Sequence, residues 1–153
     1  MNIFIFWGGL FQNYLLYLQR NNNNLKLYSF FMEYYNKDIQ KHLIERARKG
    51  NTIYYESLNQ LIGSPYNLHN SCERHQLGVE LGDVSQFELS QGRPLLSAIC
   101  ITQLEKTPGI GFFEMAAELE DSNGNKLFDP TKESKKKYLK REQEKVFDYW
   151  KNH

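Results

Sequence analysis

Residues 52–63, Thr52-Ile53-Tyr54-Tyr55-Glu56-Ser57-Leu58-Asn59-Gln60-Leu61-Ile62-Gly63, change their hydrophobic period part-way along. Thr52 to Tyr55 are β-branched or aromatic, the composition of a short strand. From Glu56 onward the apolar residues Leu58, Leu61 and Ile62 recur at three and four, which predicts a helix of one or two turns over 56–62, stopped by Gly63 and Pro65. Upstream, residues 33–49 predict a longer helix: Tyr35, Ile39, His42, Leu43 and Ala47 line one face, and Lys37, Lys41, Glu45 and Arg48 the other. Gly50 ends it, and Arg46, Arg48 and Lys49 stand in its last turn, where cations complement the helix dipole.

Downstream, a third helix is expected within residues 69–81, and a further amphipathic stretch after Gly82 carries Val84, Phe87 and Leu89. Gly92-Arg93-Pro94 reads as a turn, and residues 95–102 as a nearly continuous apolar strand central in a sheet. A loop at 107–111 precedes a helix built on Phe112, Phe113, Met115, Ala116 and Leu119, and a polar loop follows at 121–129. A charged helix over 132–151 closes the chain, with Tyr138, Val146, Phe147 and Trp150 as its apolar positions. Helix, short strand, helix, helix, strand and loop is the order of a winged helix-turn-helix. The expected fold is therefore α+β, a winged-helix-like core over about 52–101 with flanking N- and C-terminal helices.

The chain has 153 residues, 41% of them hydrophobic, enough for one domain with a real core. Cys72 and Cys100 make no disulfide framework, so reduced cysteines and a cytoplasmic setting are expected. Residues 1–31 stand apart as an apolar leader, holding nine of the 22 aromatics and the tract Asn21-Asn22-Asn23-Asn24. The apolar run from Ile3 to Leu18 is shorter than the roughly twenty residues that cross a bilayer. No Lys or Arg precedes it, as a secretory signal requires. The leader reads as extraneous translated sequence ahead of a natural start at Met32, with membrane attachment left open only if 3–18 is a genuine anchor. The division is then 1–31 and a single domain at 32–153.

A net charge of +1 excludes a strongly basic nucleic-acid binder at the level of the whole chain, but that value is a cancellation. Residues 63–120 carry three Lys+Arg against eight Asp+Glu, net −5, while 121–153 carry nine against six, net +3. The third helix of a winged-helix unit enters a DNA groove, and its cation here is Arg74, beside Glu73 and Glu80. Phosphate contacts must then come from Lys41, Arg46, Arg48 and Lys49, from Arg93, and from Lys135, Lys136 and Lys137. Arg93 can hold a phosphate in its fork of donors, or pair with Glu80, Asp83 or Glu88 and fix the turn. Tyr54 and Tyr55 can stack on bases or pack in the core.

Other constellations point to other chemistry. His69, Cys72 and His75 are spaced three apart and would need Glu73 or Cys100 as a fourth zinc ligand. Pro108-Gly109-Ile110-Gly111 ahead of Phe112 permits close approach of a phosphate, or simply makes a tight turn; it has neither the Walker lysine nor a dinucleotide fingerprint. Ser97 has no following His and reads as a small core residue. Glu114 and Glu118 read as a solvated face.

The pattern Thr52-Ile53-Tyr54-Tyr55-x-x-Leu58-x-x-Leu61-Ile62-Gly63 resembles the segment that opens the winged-helix domain of O6-alkylguanine-DNA alkyltransferases and their alkyltransferase-like relatives. That resemblance implies a DNA-reading helix after Gly63. The family's reactive Pro-Cys-His-Arg is absent: Cys100 follows Pro94 at a comparable distance, but between Ile99 and Ile101, with no His to activate it. A second set, Gly92-Arg93-Pro94-Leu95-Leu96-Ser97-Ala98-Ile99, then Pro108-Gly109-x-Gly111-Phe112-Phe113, then Phe147-x-Tyr149-Trp150, is similar to small bacterial and phage-borne proteins of unassigned function. The expected function is a non-enzymatic, nucleic-acid-contacting module with no cofactor and DNA as its partner. One alternative is a protein-interaction adaptor of phage or defence context using the acidic face of 73–88. Another is a small enzyme built round Arg93, Cys100 and the 108–111 loop.

Overall fold

Asn36 starts the first helix, its Oδ1 accepting from the amides of Asp38 and Ile39 at 3.1 Å each. In the computed structural model, which describes residues 34–153, this cap sets α1 at Lys37–Arg48, later than the periodicity alone suggested. The leader, its anchor and the start at Met32 lie outside the described residues. Ile39, Leu43 and Ala47 are buried along α1, and Gly50 ends it with φ +66°, a conformation that costs glycine little. Strand β1 (Ile53–Tyr54) runs straight into α2 (Tyr55–Leu61), as the change of period at Tyr55 implies.

Helix α3 (Ser71–Ser90) is one continuous helix where the sequence suggested two segments separated at Gly82. The reason is packing. Gly82 lies mid-helix, where a glycine costs only about 1 kcal/mol relative to alanine, and burial of Leu81, Val84 and Ser85 around it carries the helix through. The apolar stretch at 95–102 also departs from expectation. It forms a 3-10 turn (Leu96–Ile99) and only the short strand β2 (Cys100–Ile101). Side chains supply its hydrogen bonds in place of a sheet. The Leu95 amide donates to Glu142 Oε1 at 3.0 Å, the Ser97 amide to Ser85 Oγ at 2.8 Å, and Gln143 Nε2 donates to the Ala98 carbonyl at 2.9 Å. Strands β1 and β2 pair in parallel, Ile53 opposite Cys100 and Tyr54 opposite Ile101.

Helix α4 (Ile110–Glu118) buries Phe112, Phe113, Met115 and Ala116, and α5 (Lys135–Lys151) buries Tyr138, Leu139, Glu142, Val146 and Trp150. Between them, Phe128 folds back beneath both helices, its amide bonded to the Ala116 carbonyl at 3.1 Å and its ring 4.9 Å from that of Tyr138. The described residues are thus α+β, with five α-helices dominating a two-stranded parallel sheet. The 3-10 turn sits where α1, α3 and α5 meet. Leu95, Leu96, Ala98, Ile99 and Cys100 are fully buried there. Among the described residues, no helix is long and apolar enough to cross a membrane.

Candidate nucleic-acid interface

The loop from α2 to α3 is pinned along its length. Gly63 and Ser64 reverse the chain with φ of +90° and +54°. The buried Asn59 then donates from Nδ2 to the Tyr66 carbonyl at 2.8 Å and accepts from the Tyr66 amide at 3.3 Å. Tyr66 donates its hydroxyl to Glu80, the Asn67 amide donates to Glu73 Oε2 at 2.6 Å, and Arg74 Nη1 donates to the Leu68 carbonyl at 2.9 Å. Asn70 caps α3, its Oδ1 accepting from the Cys72 amide at 2.9 Å and the Glu73 amide at 3.4 Å. A loop tied at this many points presents the start of α3 in a fixed direction.

What it presents is polar and largely uncovered. From Ser71 to Glu80 only Leu77 is buried, while Ser71, Cys72, Arg74, His75 and Gln76 are exposed. The acidic residues of the same helix turn to internal partners. Glu80 accepts from Asn36 Nδ2 at 2.8 Å as well as from Tyr66, and Glu73 is used by Asn67. Glu88 is fully buried, accepting from Gln40 Nε2 at 2.5 Å and from Arg93 at both oxygens. Asp83 is half-buried near Glu80; desolvation first, then that neighbouring charge, pushes its carboxyl up to about 6. Of these acids Glu88 meets an opposite charge, Arg93, while Glu73 and Glu80 are held by neutral donors and keep their charge.

The candidate cations fall into distinct settings. Arg93 is an internal group: besides its two bonds to Glu88, its guanidinium lies 5.5 Å from the Phe87 ring centroid and 5.7 Å from that of Trp150. Of the acids considered for it, Glu88 is its partner, and it fixes the turn rather than presenting an open fork. Lys41, Arg48 and Lys49 are exposed on α1 and its C-cap, and Arg46 is half-buried. Arg48 Nη2 donates to the main-chain oxygen of His153 at 3.0 Å, which brings this group to the C-terminal end of α5. At the other end, Lys136 and Lys137 are exposed and Lys135 sits over the Phe113 ring at 5.2 Å. Helix α5 has 17 residues, so the two cationic groups lie about 25 Å apart. Three lysines in a first helical turn oppose the macrodipole, which favours anions there by about 0.3–1 kcal/mol per charge. Folding does not account for that placement.

The remaining constellations resolve into structural roles. Pro108 and Phe112 are buried and Gly111 is exposed, while the Gly109 amide donates to the Tyr55 hydroxyl at 3.1 Å. A Cβ on Gly109 would lie 3.4 Å from that same oxygen, which explains the glycine as a close approach to Tyr55. Tyr55 thereby belongs to the core side of its two readings; burial, then the nearby Cys100, pushes its hydroxyl up to about 12. Tyr54 instead lies under the Lys106 ammonium, 4.4 Å from ring centroid to Nζ. Cys100 is fully buried, and burial, with the charge of Glu56, drives its thiol well above the usual range and away from nucleophilic use. Arg93, held at Glu88, belongs to a different cluster from Cys100 and Gly109, which both neighbour Tyr55. Ser97 is buried and accepts from the Ser85 hydroxyl at 2.6 Å. His69, Cys72 and His75 are all exposed, and among the described residues no three His, Cys, Asp or Glu are arranged to hold a metal ion. The spacing of three was insufficient because His69 lies in the loop ahead of the Asn70 cap, and Cys72 and His75, on α3, are turned by about 60° from each other.

No family model matches this chain, and neither a curated protein nor a solved structure matches it. The sequence reading named Glu88 among the acids that could pair with Arg93, and the Gly92 turn brings the two together. The use of Glu142, on another helix, as a buried acceptor had no local signal.

Proposed function

We propose that the chain is a non-enzymatic module of winged-helix type that contacts nucleic acid through the leading half of α3. The observation carrying this reading is the pairing of a braced α2–α3 loop with an exposed helix start offering His75 and Gln76, beside Arg74, one of whose donors is spent on the Leu68 carbonyl. Arginine and glutamine are side chains that reach base edges, and the fixed loop sets their register. Glu88 is paired with Arg93, and Glu73 and Glu80 are oriented by hydrogen bonds within the fold. Lys136 and Lys137, placed against their helix dipole, are available for backbone phosphates. The likeness of residues 52–63 to the opening of the alkyltransferase winged-helix domain adds support, and the buried Cys100 argues for binding without alkyl transfer.

An adaptor that met a basic partner through the acidic face of 73–88 would have to use carboxylates already engaged within the fold. Fluorescence anisotropy with duplex and single-stranded DNA over a salt series tests the leading reading. Binding that weakens steeply with salt is expected, by roughly one decade in affinity per decade in salt for each phosphate neutralised. No binding at low salt overturns it.

A further inference from the structure

Five rings and one guanidinium form a continuous column across one end of the fold. Tyr35 stacks on Phe87 at 4.1 Å, the Arg93 guanidinium bridges Phe87 and Trp150, Trp150 meets Tyr149 edge-on at 5.0 Å, and Tyr149 stacks on His153 at 4.2 Å with planes 4° apart. Its inner members are fastened to the core through the Arg93 pair with Glu88. Its last ring, His153, is exposed.

The end of the column is held in place as well as stacked. His153 Nδ1 lies 2.7 Å from the Tyr149 carbonyl, so this nitrogen carries the proton and donates, and the imidazole plane is fixed on the tyrosine. Arg48 binds the main-chain oxygen of the same residue at 3.0 Å. Arg48, its neighbour Lys49, and Lys151 in the last turn of α5 are all exposed at this end. The result is a stacked pair whose outer member is the His153 imidazole, at an end of the fold that carries exposed cations.

We propose that this surface is a stacking platform for an unpaired nucleobase, so that the ligand class of the module includes single-stranded nucleic acid. The inference rests on the nucleic-acid reading given above and adds a second, separate contact to it. A base is flat and presents a π-face whatever its identity, and its strand carries phosphates on both sides. An imidazole stacked parallel on a tyrosine, with Arg48, Lys49 and Lys151 exposed at the same end, matches both properties. The platform rings belong to the C-terminal end of α5 and the exposed helix start to α3, so they are separate contacts; Phe87, where the column meets α3, is about 20 Å along that helix from Arg74.

The test uses the full chain with a short single-stranded DNA carrying 2-aminopurine, and an unlabelled-end duplex of the same length as the comparison. Stacking is expected to quench the 2-aminopurine emission several-fold. His153→Ala and Tyr149→Leu should remove most of the quenching and weaken single-strand binding by about five- to tenfold, while duplex affinity changes less than twofold. The leucine retains apolar contact with Trp150, and the unchanged duplex affinity reports that the variant is folded. Single-strand binding with undiminished emission, or quenching that persists in His153→Ala, overturns the platform. Duplex binding without any single-strand binding also overturns it, and leaves the helix-based reading standing. Failure to bind either DNA at low salt overturns both.

Discussion

The two halves of α3 belong to one helix and do opposite things. Its leading half buries only Leu77, while its trailing half buries Leu81, Val84, Ser85 and Glu88 against α1, α4, the 3-10 turn and the Arg93 turn. Continuous backbone hydrogen bonding lets the anchored half hold the projecting half rigid, so a surface with little packing of its own can still be presented in a defined place. Stability should therefore be concentrated in one half and binding in the other.

The sharpest way to break this contrast is Glu88→Ala. It strands Arg93 between two rings and frees Gln40, and it is expected to cost about 3–5 kcal/mol in urea denaturation, the usual penalty for removing one partner of a buried pair. Asp83, at the boundary between the halves, should show the opposite sign. Its carboxyl is raised to about 6 in the folded state, above the ordinary value near 4, so its contribution to stability is fully present below about pH 4 and lost as pH rises through 6. Asp83→Asn is expected to gain about 1–3 kcal/mol over the parent chain at pH 8 and nothing near pH 4, read from denaturation midpoints across that range.

Ser85→Ala leaves the buried Ser97 amide without its acceptor and should cost about 1–3 kcal/mol, with the same far-UV spectrum. In the leading half, Gln76→Ala should move stability by less than about 0.5 kcal/mol. The same change should weaken DNA binding measurably in anisotropy. A Gln76→Ala chain that binds as the parent does would detach the function from this half of the helix.

Local signals were readable where a single side chain or backbone preference decides the outcome. The switch from strand to helix near Tyr55, the stop at Gly63 and the end of α1 at Gly50 all follow from residues within a turn of the event. The strand expected over 95–102 was not recoverable in this way. A run of buried apolar residues is the same in a central strand and in a buried 3-10 turn, and the choice was made by Ser85, Glu142 and Gln143, which satisfy its backbone from two other helices. The separation of α3 at Gly82 failed for a similar reason, since the burial of Leu81, Val84 and Ser85 against other elements carries the helix through that glycine.

Candidate site residues divide along the same line. That cations gather at the end of α1 and the start of α5 is written in the sequence, because charge and helix position are local properties. That Glu80 is bonded to Asn36, that Glu142 takes the Leu95 amide, and that Trp150 meets Arg93 depends on which elements lie side by side. The sequence by itself determined the α+β class, the helix stops at Gly50 and Gly63, and the local placement of charge. Tertiary structure alone decided which side chains are buried or bonded across elements, because those partners are far apart along the chain.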